Sequence, residues 1–354
     1  MQRSKYVKRI IKAILFASLF VVFTAFFDMA FEFDERNTEE MLTAFSEQSG
    51  LNTVFVGTSV GEMMDAKEYE KITGEHAFNM CTPSQSLSVS LKNIRLAASN
   101  HRIRKAILLT SVETVNLGQY NEIDHIYDRV VDSSSPLHVR IKNAIGRNIR
   151  KTFSKEYINR EQSINIWIPW ENEAVYDKDS IINNLKTRFG RLIRLEPIGY
   201  KIAYDLNTVK YAVRSGDPGD EDNRLLEEDL SAAMQLNVPQ DMVSEDKLVQ
   251  LSEICTFCQN NGIELIVLTT PHRSDYYSRN EDLYGNERTV SAYLKDFFAK
   301  RGVAYTDTED DSAVHQIIPD EEFYDYEHVR DEFVSRSSEY LTGQLMEAAA
   351  GRKK

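Results

Sequence analysis

The sequence predicts an α/β fold in three layers, a parallel sheet with helices on both faces, carrying a helical insertion and preceded by one transmembrane helix. Three observations carry this. Apolar runs without polar alternation recur at Thr53–Val56, Ala106–Leu109 and Ile263–Thr269, as strands buried on both faces require. Segments with apolar residues at helical spacing lie between them. The alternation breaks off near residue 115 and resumes near 246, so two separated halves supply one sheet.

The first 34 residues read as a cytoplasmic tip and signal anchor. Arg3, Lys5, Lys8 and Arg9 precede an apolar stretch from Ile10 to Phe27, which Lys12 alone interrupts with a charge, and Asp28, Glu32, Asp34 and Glu35 follow. Such a stretch is about 27 Å long as a helix, close to a bilayer core. Positive charge before it and negative charge after it predict a cytoplasmic N-terminus, a retained single-pass anchor and an extracytoplasmic body. Residues 35–50, with Met41, Leu42 and Phe45, predict a short amphipathic stalk helix.

The first half of the α/β body spans 35–114. Strand Thr53–Val56 leads to a helix over Gly61–Ile72 that stops at Gly74, then to a short strand Ala77–Asn79. Pro83-Ser84-Gln85 opens a helix running to Asn100, with Leu87, Leu91, Ile94 and Ala97 on one face, and strand Ala106–Leu109 follows. Residues 115–245 read as an insertion or cap. They hold a basic segment, Val139–Lys155, suited either to an anionic surface or to packing on the domain, and an aromatic patch around Trp167 and Trp170, suited to sugar stacking or to a small core. The second half, 246–354, supplies a helix Lys247–Asn260, strand Ile263–Thr269, a helix Thr289–Lys300, a short strand Val303–Tyr305 and a closing helix Glu332–Ala348.

Composition narrows the function. Across 354 residues the hydrophobic fraction is 42%, enough for a sizeable core, and the net charge of −13 argues against nucleic acid as a partner. Three cysteines imply no disulfide framework. Cys255 and Cys258 have C-x-x-C spacing but lie within a helix with no second pair, so they predict packing rather than a metal site, and no cofactor is implied.

Two places carry potential chemistry. Ser59 stands where the first strand turns into a helix, where free backbone N–H groups can stabilise an oxyanion; an ordinary serine helix cap is the alternative. Asp325 and His328 stand three apart just before the closing helix. A serine needs a base to become a nucleophile, a histidine can be that base, and an aspartate can orient it. Thr270-Pro271-His272-Arg273 follows a central strand at its carboxyl end, where ligands bind in open α/β sheets, and Arg273 could grip an anionic group there. His315, after an acidic run, reads as a solvated residue.

Gly57-Thr58-Ser59 after the first strand and Asp325-x-x-His328 near the C-terminus together resemble the SGNH, or GDSL-like, hydrolase superfamily. Ala77-Phe78-Asn79 followed by Ser84 is similar to the second block of envelope-associated members. The resemblance spans residues 52–111 and 247–345 and is nearest to anchored envelope members such as the D-alanyl-transfer protein of the teichoic-acid pathway and glycan O-acetylation proteins. It departs from the family at Gly-Thr-Ser in place of Gly-Asp-Ser, and at Thr110-Ser111-Val112-Glu113 where the family has Gly-x-Asn-Asp. The resemblance implies a flavodoxin-like sheet and serine esterase or acyltransferase chemistry on a cell-envelope glycan or polymer. Ser59, Asp325 and His328 would be catalytic and Asn79 would bind the oxyanion, and some members work beside a multi-spanning membrane O-acyltransferase. His272 and Arg273 are candidates to bind substrate only by their place after the central strand, where a surface loop with incidental charge is the alternative. The rival is a member that keeps the fold without catalysis, binding glycan or scaffolding such a partner.

Overall fold

The computed structural model describes residues 6–16, 18–19, 41–42, 44–82, 85–111, 182, 245–278 and 287–351. The chain divides into two compact units, Met1–Glu39 with Asp128–Tyr200, and Glu40–Tyr127 with Lys201–Lys354. In the first, residues 6–16 and 18–19 are helical with exposed side chains. The rest of the expected anchor, Val139–Lys155, Trp167 and Trp170 lie outside the described residues. Among the described residues no helix is long and apolar enough to cross a membrane.

The second unit holds the α/β body. Five parallel strands, β1 (Thr53–Gly57), β2 (Ala77–Asn79), β3 (Lys105–Thr110), β4 (Glu264–Thr269) and β5 (Ala304–Asp307), pair in the order β2-β1-β3-β4-β5. In-register parallel pairing runs through Phe55↔Ile107 and Ile107↔Ile266. Helices α1 (Ala66–Thr73), α2 (Leu87–Asn100), α3 (Glu245–Asn260), α4 (Glu287–Ala299), α5 (Val314–Ile317) and α6 (Val334–Gly351) accompany the strands.

Period-two alternation of the strands divides the core. Phe55, Ile107, Leu109, Ile266 and Leu268 face Met63, Met64 and Tyr69 near α1 and Leu341 and Leu345 of α6. The alternate residues, among them Val54, Val56, Ala106, Leu108 and Val267, are also fully buried; α2 packs on β1, α3 on β4 and α2. Both faces are therefore covered, which is why the strands read as unbroken apolar runs. The expected C-x-x-C packing holds: burial pushes the Cys255 thiol up to about 11 and the Cys258 thiol up to about 12.

Two expectations change. The helix expected over Gly61–Ile72 is two pieces, a 3-10 turn Ser59–Met63 and α1, because Met64 is extended and the Asp65 side chain caps α1 by accepting from Lys67 N at 2.8 Å. The expected stalk is packed into the body: Met41, Leu42 and Phe45 are buried, and the Phe45 ring meets Phe78 and His101 edge-on at 5.6 and 5.1 Å.

Candidate active site

β1 lies where the strand order reverses, and in such sheets ligands sit beyond the carboxyl ends of the strands. Its last residue, Gly57, has φ 152°, and a Cβ there would stand 2.0 Å from the Leu109 carbonyl oxygen. Glycine alone allows β1 to pass this close to β3. The chain then enters the 3-10 turn, whose first residue is the partly exposed Ser59. Among the described residues no hydrogen bond engages the Ser59 hydroxyl or amide. Gly61 lays the turn flat on Cys81, whose Sγ would be 2.2 Å from a Cβ at that position.

Asn79 holds this turn from below. Its Nδ2 donates to Gly61 O at 2.8 Å and Met64 O at 2.9 Å, and its Oδ1 accepts from Cys81 N at 2.9 Å. Both amide hydrogens are engaged and the side chain is buried, so the expectation that Asn79 supplies an oxyanion donor gives way to a role as a strut. The far end of the turn is tied to α6: Ser337 and Ser338 hydroxyls donate to Met63 O at 2.8 and 3.0 Å, and Asp65 N donates to Ser338 Oγ at 2.6 Å.

Asp325 and His328 sit in a loop closed by an antiparallel bridge between Phe323 and Val329. Tyr324 N donates to His328 O at 2.7 Å, and Arg330 N to Glu322 O at 2.8 Å. Inside the loop Asp325 Oδ1 accepts from Glu327 N at 2.9 Å and His328 N at 2.7 Å, while Oδ2 lies 2.7 Å from His328 Nδ1. A carboxylate can only accept, so Nδ1 donates to Asp325, and the neutral tautomer that fits this bond carries its lone pair at Nε2. His328 is 7% exposed. Its Nε2 has no hydrogen-bond partner among the described residues, with Glu327 Oε1 at 3.9 Å. Ser59 and His328 are thus not hydrogen-bonded to each other; catalytic hydrogen bonds often tighten only when substrate binds.

The loop after β4 meets this one: Arg273 N donates to Tyr326 O at 2.9 Å. The Arg273 guanidinium is filled by Asp275, Nε to Oδ1 at 2.6 Å and Nη2 to Oδ2 at 2.9 Å, so its fork serves the loop rather than standing open for an anion. The His272 side chain is buried, and its ring lies 5.3 Å from the Tyr276 ring, which stacks on Tyr326 at 4.6 Å. His315, expected to be solvated, is partly exposed, and its Nε2 also lies 3.0 Å from Glu309 Oε2. Thr110, where the family's third block would begin, is buried and donates to Ser111 O at 3.2 Å. A groove of about 720 Å³ opens elsewhere, lined by Phe257, Tyr293 and Phe297 from α3 and α4, and holds none of these residues.

No protein-family model and no curated protein matches the chain. Solved structures do resemble it. One is the C-terminal catalytic domain of Streptococcus pneumoniae peptidoglycan O-acetyltransferase A, at 10% identity and TM-score 0.34, over 86% of this chain and 96% of that one. Another is a Bacteroides fragilis protein provisionally named an acylhydrolase, at 11% identity and TM-score 0.39, over 91% and 99%. A third, from Streptococcus, is provisionally named a platelet activating factor, at 10% identity and TM-score 0.37, over 93% and 99%. Those names belong to those proteins; for this chain the functional reading rests on its own residues, a five-stranded parallel sheet that carries Ser59 after β1 and a bonded Asp325–His328 pair before α6.

Proposed function

We propose that this protein is a membrane-anchored, extracytoplasmic serine acyl esterase or acyltransferase acting on a cell-envelope glycan or polymer. The observation that carries the reading is the Asp325–His328 pair, with Nδ1 held at 2.7 Å and Nε2 without a hydrogen-bond partner among the described residues. In this reading Ser59 Oγ attacks the ester carbonyl while His328 Nε2 takes its proton. Asp325 stabilises the imidazolium that forms, and the Ser59 backbone N–H stabilises the oxyanion. His328 then returns the proton to the leaving alcohol, freeing an acyl-Ser59 ester. Water as the second acceptor gives hydrolysis, and a glycan hydroxyl gives transfer, in which a multi-spanning membrane O-acyltransferase is the expected partner. The envelope substrate and partner come from the sequence resemblance, and the anchor from the charge-flanked apolar stretch Ile10–Phe27.

One observation favours a second reading, a non-catalytic envelope protein that binds glycan or scaffolds an acyltransferase: the amide hydrogens of Asn79 are engaged by Gly61 and Met64. Losing one oxyanion donor costs about 2.7–4 kcal/mol in transition-state stabilisation. Turnover of p-nitrophenyl acetate by the full chain in detergent separates the two. The enzyme reading expects Ser59→Ala to abolish turnover above background; equal rates for the two proteins would leave the binding role.

A further inference from the structure

Glu309 is a buried carboxylate that the proposed chemistry does not use. It stands in the 3-10 turn Thr308–Asp310 just after β5, with its side chain 5% exposed. Its two oxygens face different elements. Oε1 accepts from His272 N at 2.9 Å, and Oε2 lies 3.0 Å from Nε2 of His315 on α5. The hydrogen bond with Glu309 raises the His315 pKa above its ordinary value, against the opposing effect of burial.

The residue Glu309 grips by its backbone begins a connected path to the Asp325–His328 loop. Pro271 and His272 are buried, and the next amide, Arg273 N, donates to Tyr326 O. The His272 ring leans on Tyr276, and Tyr276 stacks on Tyr326 with planes 22° apart. Asp320 anchors the same segment from its other end, taking Ser274 N at 2.8 Å and Ser274 Oγ at 2.6 Å. Tyr326 lies between Asp325 and His328 in sequence, so its placement sets the turn that lets one carboxylate reach both the backbone and the ring of His328.

We infer that Glu309, held by His315, is a positioning residue for His328, acting through the His272 backbone, the Arg273–Tyr326 hydrogen bond and the His272–Tyr276–Tyr326 ring stack. It touches no reacting atom. The inference rests on His328 being the base of the proposed reaction, but its structural half can be read without any turnover.

The test is amide hydrogen exchange on the full chain in detergent, paired with p-nitrophenyl acetate kinetics. Glu309→Ala is expected to speed exchange in residues 270–276 and also in 323–329, and to lower kcat roughly 10- to 100-fold with KM little changed, since small misplacements of a catalytic group have effects of this size. Glu309→Gln keeps an acceptor for His272 N and is expected to restore most of both. Should Glu309→Ala fail to fold, the half-exposed His315→Ala puts the same question, with the same two signals expected. Faster exchange confined to 270–276, or kcat unchanged where Ser59→Ala is dead, would overturn the inference alone. Wild-type turnover in Ser59→Ala would instead overturn the proposed reaction and leave the exchange result to decide the structural coupling.

Discussion

Asp325 holds His328 twice: Oδ1 takes the backbone amide at 2.7 Å and Oδ2 takes ring Nδ1 at 2.7 Å. The first bond fixes where the residue sits, the second fixes its tautomer and ring angle, and the three-residue spacing lets one carboxylate do both. Replacing Asp325 with Asn keeps an acceptor for the backbone but can invert the ring bond by donating to Nδ1, which moves the ring proton to Nε2 and removes the base. The expected result is a fall in kcat on p-nitrophenyl acetate of roughly 100- to 10,000-fold, with a melting temperature close to wild type. Replacing Asp325 with Ala should lower kcat similarly and also destabilise the loop, which thermal melts would read as a separate effect.

Gly57 and Gly74 form a controlled pair. Both have positive φ, 152° and 71°, but a Cβ at Gly57 would collide with the Leu109 carbonyl while one at Gly74 meets nothing within 4 Å. Gly74→Ala should cost about 1–2 kcal/mol, the left-handed penalty alone. Gly57→Ala should cost about 3 kcal/mol or more, because backbone strain and a clash with the sheet add. Urea unfolding of the two variants checks the difference, and equal losses would mean that β1 and β3 do not approach this closely.

Asn79 is expected to matter through stability and through the shape of the serine turn. Asn79→Leu removes two donors from the Gly61 and Met64 carbonyls and an acceptor from Cys81 N. Buried groups left without partners cost about 1–3 kcal/mol each, so a loss of several kcal/mol is expected in denaturant melts. Any surviving folded protein should show a reduced kcat. A stable Asn79→Leu protein with kcat reduced alone would instead point to a direct oxyanion role.

Acid stability should depend on Glu75, at the amino end of the sheet and away from Ser59. Burial pushes its carboxyl up, but hydrogen bonds from Lys105 Nζ, at 2.7 Å to both oxygens, and from Tyr69 and Thr53 outweigh it and hold the carboxyl below its ordinary range. A carboxylate depressed on folding stabilises above its unfolded pKa of about 4.3 and loses that contribution as pH falls through the folded value. The melting-temperature advantage of wild type over Glu75→Gln should therefore be constant near neutrality and shrink below about pH 4.3. An advantage independent of pH would contradict the pairing.

The parallel sheet was legible because burial on both faces writes itself as unbroken apolar runs, and Thr53–Val56 and Ile263–Thr269 predict β1 and β4 to within a residue or so. The break between Ser59–Met63 and α1 was harder to read, because Gly61 to Ile72 has helical spacing throughout and only the Asp65 cap divides it. Ser59, Asp325 and His328 stood out by their place beside strand and helix ends. The parts of the site that escaped are side-chain pairings, near and far in sequence: Asn79 with Gly61 and Met64, Arg273 with Asp275, and Glu309 with both His272 and His315. Composition gives no sign of which of several acidic residues after β5 turns inward, so the pairing of the partly exposed His315 with Glu309, six residues away, was not legible.

The most direct test of the account is to trap the acyl-enzyme. Full-length protein in detergent, mixed with p-nitrophenyl acetate and quenched in acid during the burst, is digested and mapped by mass spectrometry. The account predicts one acetylated peptide, with the acetyl group on Ser59, present in wild type and lost in both Ser59→Ala and His328→Ala. Acetylation of another residue, or turnover by Ser59→Ala at the wild-type rate, would contradict it.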